Sequence, residues 1–81
     1  MKIRALFFAH LRDVAGAGER EFELREGATI LEFAEYLAGA DIRFHGMLRY
    51  ARLAVNGEWS TTETVLHEGD EVGFLPPSSG G

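Results

Sequence analysis

Residues 29–39 read TILEFAEYLAG, and their spacing decides the fold. Thr29 and Glu32 stand three apart, the arrangement in which a hydroxyl caps the amide at the start of a helix and a carboxylate reaches back to the cap. Behind them Ile30, Phe33, Ala34, Leu37 and Ala38 recur at i, i+3, i+4, i+7 and i+8, which is one apolar stripe along a helix. Gly39 is the expected C-terminal stop. A helix with a single stripe must lie on something. The flanking segments alternate with period two, so the partner is a sheet.

Towards the N terminus, Met1, Ile3, Ala5 and Phe7 alternate with Lys2, Arg4, Leu6 and Phe8, the pattern of a strand. Leu11, Val14 and Ala15 then follow at helical spacing and are stopped by Gly16 and Gly18, predicting a short helical turn. From Glu19 to Arg25 the alternation returns, with Phe22 and Leu24 inward and Glu21, Glu23 and Arg25 outward. The two strands form an opening hairpin. Towards the C terminus, residues 41–50 read as a loop with one turn of helix around Met47 and Leu48. Arg52 to Val55 is a strand, and Asn56-Gly57 is the dipeptide that a two-residue hairpin selects, because both central residues need positive φ. The return strand is Glu58 to Ser60. His67-Glu68-Gly69-Asp70 is a turn, and Glu71 to Leu75 is the last strand, ended by Pro76. The expected fold is α+β, a mixed sheet of about five strands with one main helix packed on one face.

The chain has 81 residues, 46% hydrophobic and 26% charged, enough for one small domain and too few for two. It has no cysteine, which excludes disulfides, thiolate metal sites and a catalytic thiol, and fits the cytoplasm. No apolar run approaches membrane length, and Arg4 interrupts the apolar start. A net charge of -5 disfavours phosphate backbones, so neither nucleic acid nor a membrane is an expected partner.

One helix covers one face of a sheet, which leaves the other face to solvent or to a partner. On the first strand the outward parity marked by Lys2 and Arg4 continues into Leu6 and Phe8. On the last strand the outward parity of Glu71 reaches Leu75. Trp59, just past the Asn56-Gly57 turn, has no evident interior slot. An exposed apolar patch of Leu6, Phe8, Trp59 and Leu75 is therefore expected, with burial beneath the 41–49 loop as the alternative. Beside it the chain closes with PPSSGG, residues 76–81, a composition unlike the rest. The expected division is a folded domain over 1–75 and a tail over 76–81.

Taken together, LFFAHLRDVAG, GATILEFAEYLA, AVNGE, HEGDEVGFLPP and the terminal Gly80-Gly81 resemble, along nearly the whole chain, the small subunit of molybdopterin synthase, a family of ubiquitin-like β-grasp sulfur carriers. The thiamine-pathway sulfur carriers also end in Gly-Gly, but they are usually shorter and lack the LFFA…LR…AG opening. Ser78-Ser79 departs from the usual pattern of a larger residue before a small one, which alters the fit of the tail and leaves its chemistry intact. The resemblance implies that the reactive group is the α-carboxylate of Gly81. An E1-like adenylyltransferase using MgATP would activate it, and a sulfur donor would convert it to a thiocarboxylate. The active site, for a cyclic pterin phosphate, would lie in a large subunit, with which the family forms a heterotetramer. The resemblance also implies that the first and last strands lie side by side and parallel. This chain would then be a non-catalytic subunit that binds no cofactor of its own.

The residues fit that role. Pro76 and Pro77 fix φ near -65° and favour an extended exit from the last strand. Gly80 and Gly81 lack a Cβ, so a narrow tunnel can close on bare backbone. The patch of Leu6, Phe8, Trp59 and Leu75, with Pro76 and Pro77, is the expected partner interface. No other chemistry stands out: His10, His45 and His67 are far apart with no second ligand at metal spacing, no serine has a locally fixed base, and Gly16-Ala17-Gly18 does not extend into a phosphate loop. A carrier for thiamine or tRNA thiolation and a ubiquitin-like protein modifier remain alternatives.

Overall fold

The computed structural model describes residues 1–75, apart from the side chains of 46–49. Five strands, β1 (Lys2–Phe7), β2 (Glu19–Glu23), β3 (Arg52–Val55), β4 (Glu58–Trp59) and β5 (Glu71–Leu75), form one mixed sheet in the order β2-β1-β5-β3-β4. Strands β1 and β5 pair in parallel, from Arg4 opposite Glu71 to Phe7 opposite Phe74, and every other pairing is antiparallel. The opening hairpin is present, its strands joined through the short helix α1 (His10–Ala15). Asn56 and Gly57 take φ of 51° and 84°, as a two-residue turn between right-twisted strands demands.

Helix α2 (Ile30–Ala40) starts where the capping pattern predicts: the Thr29 hydroxyl accepts from the Glu32 amide at 3.2 Å. The reciprocal half of the box is replaced, because the Glu32 carboxylate accepts from Arg25 Nε at 2.9 Å. Gly39 does not stop the helix. It lies within α2, which runs on to Ala40 and closes at Asp41 in an extended conformation with its amide on the Leu37 carbonyl. A second correction concerns residues 41–50. In place of a loop with one helical turn there is an eight-residue helix, α3 (Arg43–Tyr50). Asp41 organises its start: Oδ1 accepts from the Arg43 amide at 2.9 Å, and Oδ2 pairs with Arg43 Nη2 at 2.6 Å. Those hydrogen bonds from the Arg43 side chain and backbone hold the Asp41 carboxyl below the ordinary carboxylate value.

All helices that contribute to the core do so on one face of the sheet. Ile3, Ala5 and Phe7 of β1 and Val72 and Phe74 of β5 are almost fully buried against Ile30, Phe33 and Leu37 of α2, with Leu11 from α1 and Phe44 from α3 closing the ends. Phe7 and Phe74 stack at 5.7 Å with planes 10° apart. Phe33 meets Phe74 edge-on at 5.6 Å and Phe22 at 5.1 Å, and Phe22 meets Phe7 at 6.4 Å, which closes a ring of four aromatics. No described helix is long and apolar enough to cross a membrane.

Three substitutions test this packing by urea denaturation. Thr29→Ala removes the cap of α2 and is expected to cost about 1 kcal/mol. Leu37→Ala and Phe44→Ala leave cavities beneath α2 and α3 and are expected to cost roughly 2–5 kcal/mol each. An unchanged midpoint for Phe44→Ala would mean that α3 contributes nothing to the core.

Candidate functional site

Alternation along β1 and β5 sends Lys2, Arg4 and Leu6, and Glu71, Gly73 and Leu75, to the face that the helices leave bare. Register then builds a row across the sheet: Leu6 stands opposite Gly73, Gly73 opposite Ala54, and Ala54 opposite Trp59. Two small residues lie between two large ones, so the row is a trough. Its volume is about 220 Å³, and its lining includes Leu6, Phe8, Ala54, Trp59, Gly73 and Leu75, with Gly57 and Glu71 at one end. The four expected patch residues are thus brought together. Phe8 is 42% exposed and Trp59 62%, while Leu6 and Leu75 are half-buried. The alternative, burial under residues 41–49, does not occur, because α3 packs on the opposite face with Phe44 against Phe7 at 5.7 Å.

The polar surroundings of the groove are internally matched. Arg4 pairs with Glu71 at 2.6 Å and with Glu19 at 3.0 Å. Arg52 lies 4.1 Å over the Trp59 ring, fixing the indole as one wall; such a contact contributes about 0.5–1 kcal/mol when exposed. At the far end, Asn56 joins two turns: its Nδ2 donates to Asp70 Oδ1 at 2.9 Å and its Oδ1 accepts from the Glu71 amide at 2.9 Å. The groove walls therefore stand on a braced frame. Sequence reading missed the floor of Ala54 and Gly73. Ala54 was accessible, since a two-residue turn at 56–57 sets Trp59 opposite it. Gly73 was hidden because the β3–β5 pairing joins residues distant in the chain.

Gly73 does not take a left-handed conformation, and a Cβ there would meet the flexible end of Leu75 at 3.3 Å and Ala54 in ordinary contact at 3.8 Å and 3.9 Å. Neither backbone nor packing requires a glycine, whereas the depth of the groove does. The wall residue Leu75 ends β5, and the chain continues directly into 76–81. Pro76, Pro77, Gly80 and Gly81, the remaining expected site residues, lie outside the described residues. His10, His45 and His67 are exposed on separate elements, and among the described residues no three His, Asp or Glu side chains gather as metal ligands.

The ThiS family profile matches residues 5–81. Over their full lengths this chain is 35% identical to the molybdopterin synthase sulfur carrier subunit of Chlamydomonas reinhardtii. The crystal structure of SAMP1 from Haloferax volcanii, a small archaeal modifier protein, superposes with a TM-score of 0.85 at 25% identity, covering 100% of both chains. A chain of the Amycolatopsis orientalis BexX/CysO complex matches with a TM-score of 0.72 at 26% identity, covering 98% of this chain and 99% of that one.

Because Phe8 faces solvent, Phe8→Glu is expected to leave stability within about 0.5 kcal/mol of wild type, and Trp59→Glu to cost no more than about 1 kcal/mol through loss of the Arg52 contact. Gly73→Ala is expected to change stability by less than about 1 kcal/mol, since its single added methyl meets the movable end of Leu75. Circular dichroism melts check all three. A large loss in any of them would mean that the groove is part of the folding core.

Proposed function

The chain belongs to the ThiS family, alongside the sulfur carrier subunits of molybdopterin synthase, and on that basis we propose that its Gly81 carboxylate is adenylated and then converted to a thiocarboxylate that delivers sulfur to a cyclic pterin phosphate. One observation carries this reading: the strand that runs into the Gly-Gly tail ends at Leu75, a wall of the apolar groove on the helix-free face. A partner that grips the groove is held beside the root of the tail and can draw the six following residues into its own active site.

The chemistry requires that division. A carboxylate resists sulfur donors because oxide is a poor leaving group. An adenylating partner with MgATP supplies AMP as the leaving group, and sulfur then takes its place on the Gly81 carbonyl carbon. This chain contributes the terminal carbon, the reach of the tail and the grip. Its net charge of -5 suits it poorly to an anionic pterin, so the cations that bind the acceptor belong to the large subunit. The adenylating enzyme and the large subunit both need the tail and the groove, so they bind in turn. Similarity to SAMP1 favours one second reading, in which the activated terminus is joined to lysines of target proteins.

Intact mass spectrometry after incubation with the adenylating enzyme, ATP and a sulfur donor separates the two. Replacement of one oxygen by sulfur adds about 16 Da, whereas a modifier yields conjugates of larger mass. Deleting Gly81 is expected to abolish the gain while leaving the fold unchanged, and Gly80→Val to block the tail in its tunnel. Phe8→Glu should weaken binding to the adenylating enzyme and to the large subunit by several kcal/mol, roughly 2–4, as for anchor residues at an interface centre. Calorimetric titration that finds both affinities unchanged would place the gripping surface elsewhere.

A further inference from the structure

Trp59 separates two hollows. On one side lies the apolar trough; on the other is a second depression of about 360 Å³, whose lining includes Arg52, Ser60, Thr61 and Thr62. Its chemistry is different. No carboxylate of a described residue lines it, and its charge is the Arg52 guanidinium. The Ser60 hydroxyl donates to the Glu58 carbonyl at 3.3 Å, whereas the side-chain hydroxyls of Thr61 and Thr62 form no hydrogen bond with a described residue.

The guanidinium is matched only by the indole. Arg4 has Glu19 and Glu71, Arg25 has Glu32, and Arg43 has Asp41. The Arg52 side chain forms neither an ion pair nor a hydrogen bond with a described residue, in a chain where thirteen acidic side chains outnumber eight basic ones. Stacking at 4.1 Å over Trp59 occupies one face of the guanidinium and leaves the N–H donors in its plane, the fork that fits a carboxylate. The stack also restrains the fork before any ligand arrives, so less freedom is lost on binding. Register sets where it stands. Leu53 and Val55 pack against the core, so Arg52 and Ala54 face outward, with Arg52 opposite Leu75 and Ala54 opposite Gly73. The trough thus has a self-neutralised end at Arg4 and Glu71 and an open cation level with the last residue of β5.

We propose that Arg52 is a specificity residue of this surface: it receives a carboxylate from a protein partner that seats an apolar side chain in the trough, so that the partner straddles Trp59. The inference rests on the trough being the gripping surface in the function proposed above, and it adds that the partner is acidic beyond the indole. A second copy of this chain is disfavoured as the occupant, because two molecules of net charge -5 repel.

Calorimetric titration of the adenylating enzyme and of the large subunit with wild type, Arg52→Gln, Arg52→Lys and Arg52→Glu tests the assignment. Arg52→Gln is expected to weaken binding to at least one of the two about tenfold. Arg52→Glu should weaken it further, and Arg52→Lys less, since it keeps the charge and loses the fork. Raising NaCl from about 0.05 to 0.5 M should narrow the gap between wild type and Arg52→Gln, which a loss of packing on Trp59 would not do. Several results would overturn the proposal: no binding of wild type to either partner, unchanged affinity of Arg52→Gln for both, or a gap that salt leaves intact. Tighter binding by Arg52→Glu would also overturn it, by showing a basic partner surface, as would wild-type dimers in sedimentation velocity that Arg52→Gln abolishes. The mass experiment reads Gly81 independently. Sulfur gain with unchanged affinities overturns the role of Arg52 alone, and affinities that fall as expected without sulfur gain overturn the reading of Gly81 alone.

Discussion

Phe7 and Phe74 stack across the parallel pair β1–β5, and the rest of the molecule follows from that contact. Parallel pairing of the first and last strands puts Phe7 and Phe74 on the same side, where Phe33 of α2 and Phe22 of β2 complete the aromatic ring. It also fixes the opposite parity. With Phe7 and Phe74 inward, Leu6, Gly73 and Leu75 must face outward, and the groove is the mirror consequence of the core. A slip of one residue in β5 against β1 would turn β5 over, burying Glu71 and exposing Phe74.

Charge has a different part in the design. The Arg4 pairs with Glu19 and Glu71 are exposed, and such pairs contribute about 0–1 kcal/mol each. Their use is in register: Arg4 lies between carboxylates of β2 and β5, and a one-residue slip that set it opposite Arg20 would bring like charges together. The remaining acidic side chains of β2, Glu21 and Glu23, discourage a further strand from adding to that open edge. The sheet thus has a guarded acidic edge and an apolar trough.

Much of this was legible in the sequence because the signals were local. Thr29 with Glu32, the alternation from Met1 to Phe8, and Asn56-Gly57 each specify a conformation within a few residues. Leu6, Phe8 and Leu75 followed from strand parity, and Trp59 from the lack of an interior slot for it. Helix α3 was missed because Gly46, His45 and two arginines dilute its apolar spacing, and because its start signal, Asp41, stands two residues after a glycine that resembled a stop. Ala54 and Gly73 were missed for the opposite reason. Small residues leave no hydropathy signal; the local turn at 56–57 could have marked Ala54, whereas only long-range pairing gives Gly73 its meaning.

Strand β5 is the last element of the domain in the chain, yet it lies at the centre of the sheet, between β1 and β3. Before it is added, β1–β2 and β3–β4 are two hairpins with no hydrogen bond between them, each too small to hold together alone. During synthesis the domain therefore waits for residues 71–75 to leave the ribosome, and its folding is governed by contacts between the two ends of the chain. A product truncated before Glu71 has no sheet to offer and is open to proteolysis. Any copy that presents the groove has been translated through Leu75, so a partner that selects for the folded surface also selects against unfinished chains.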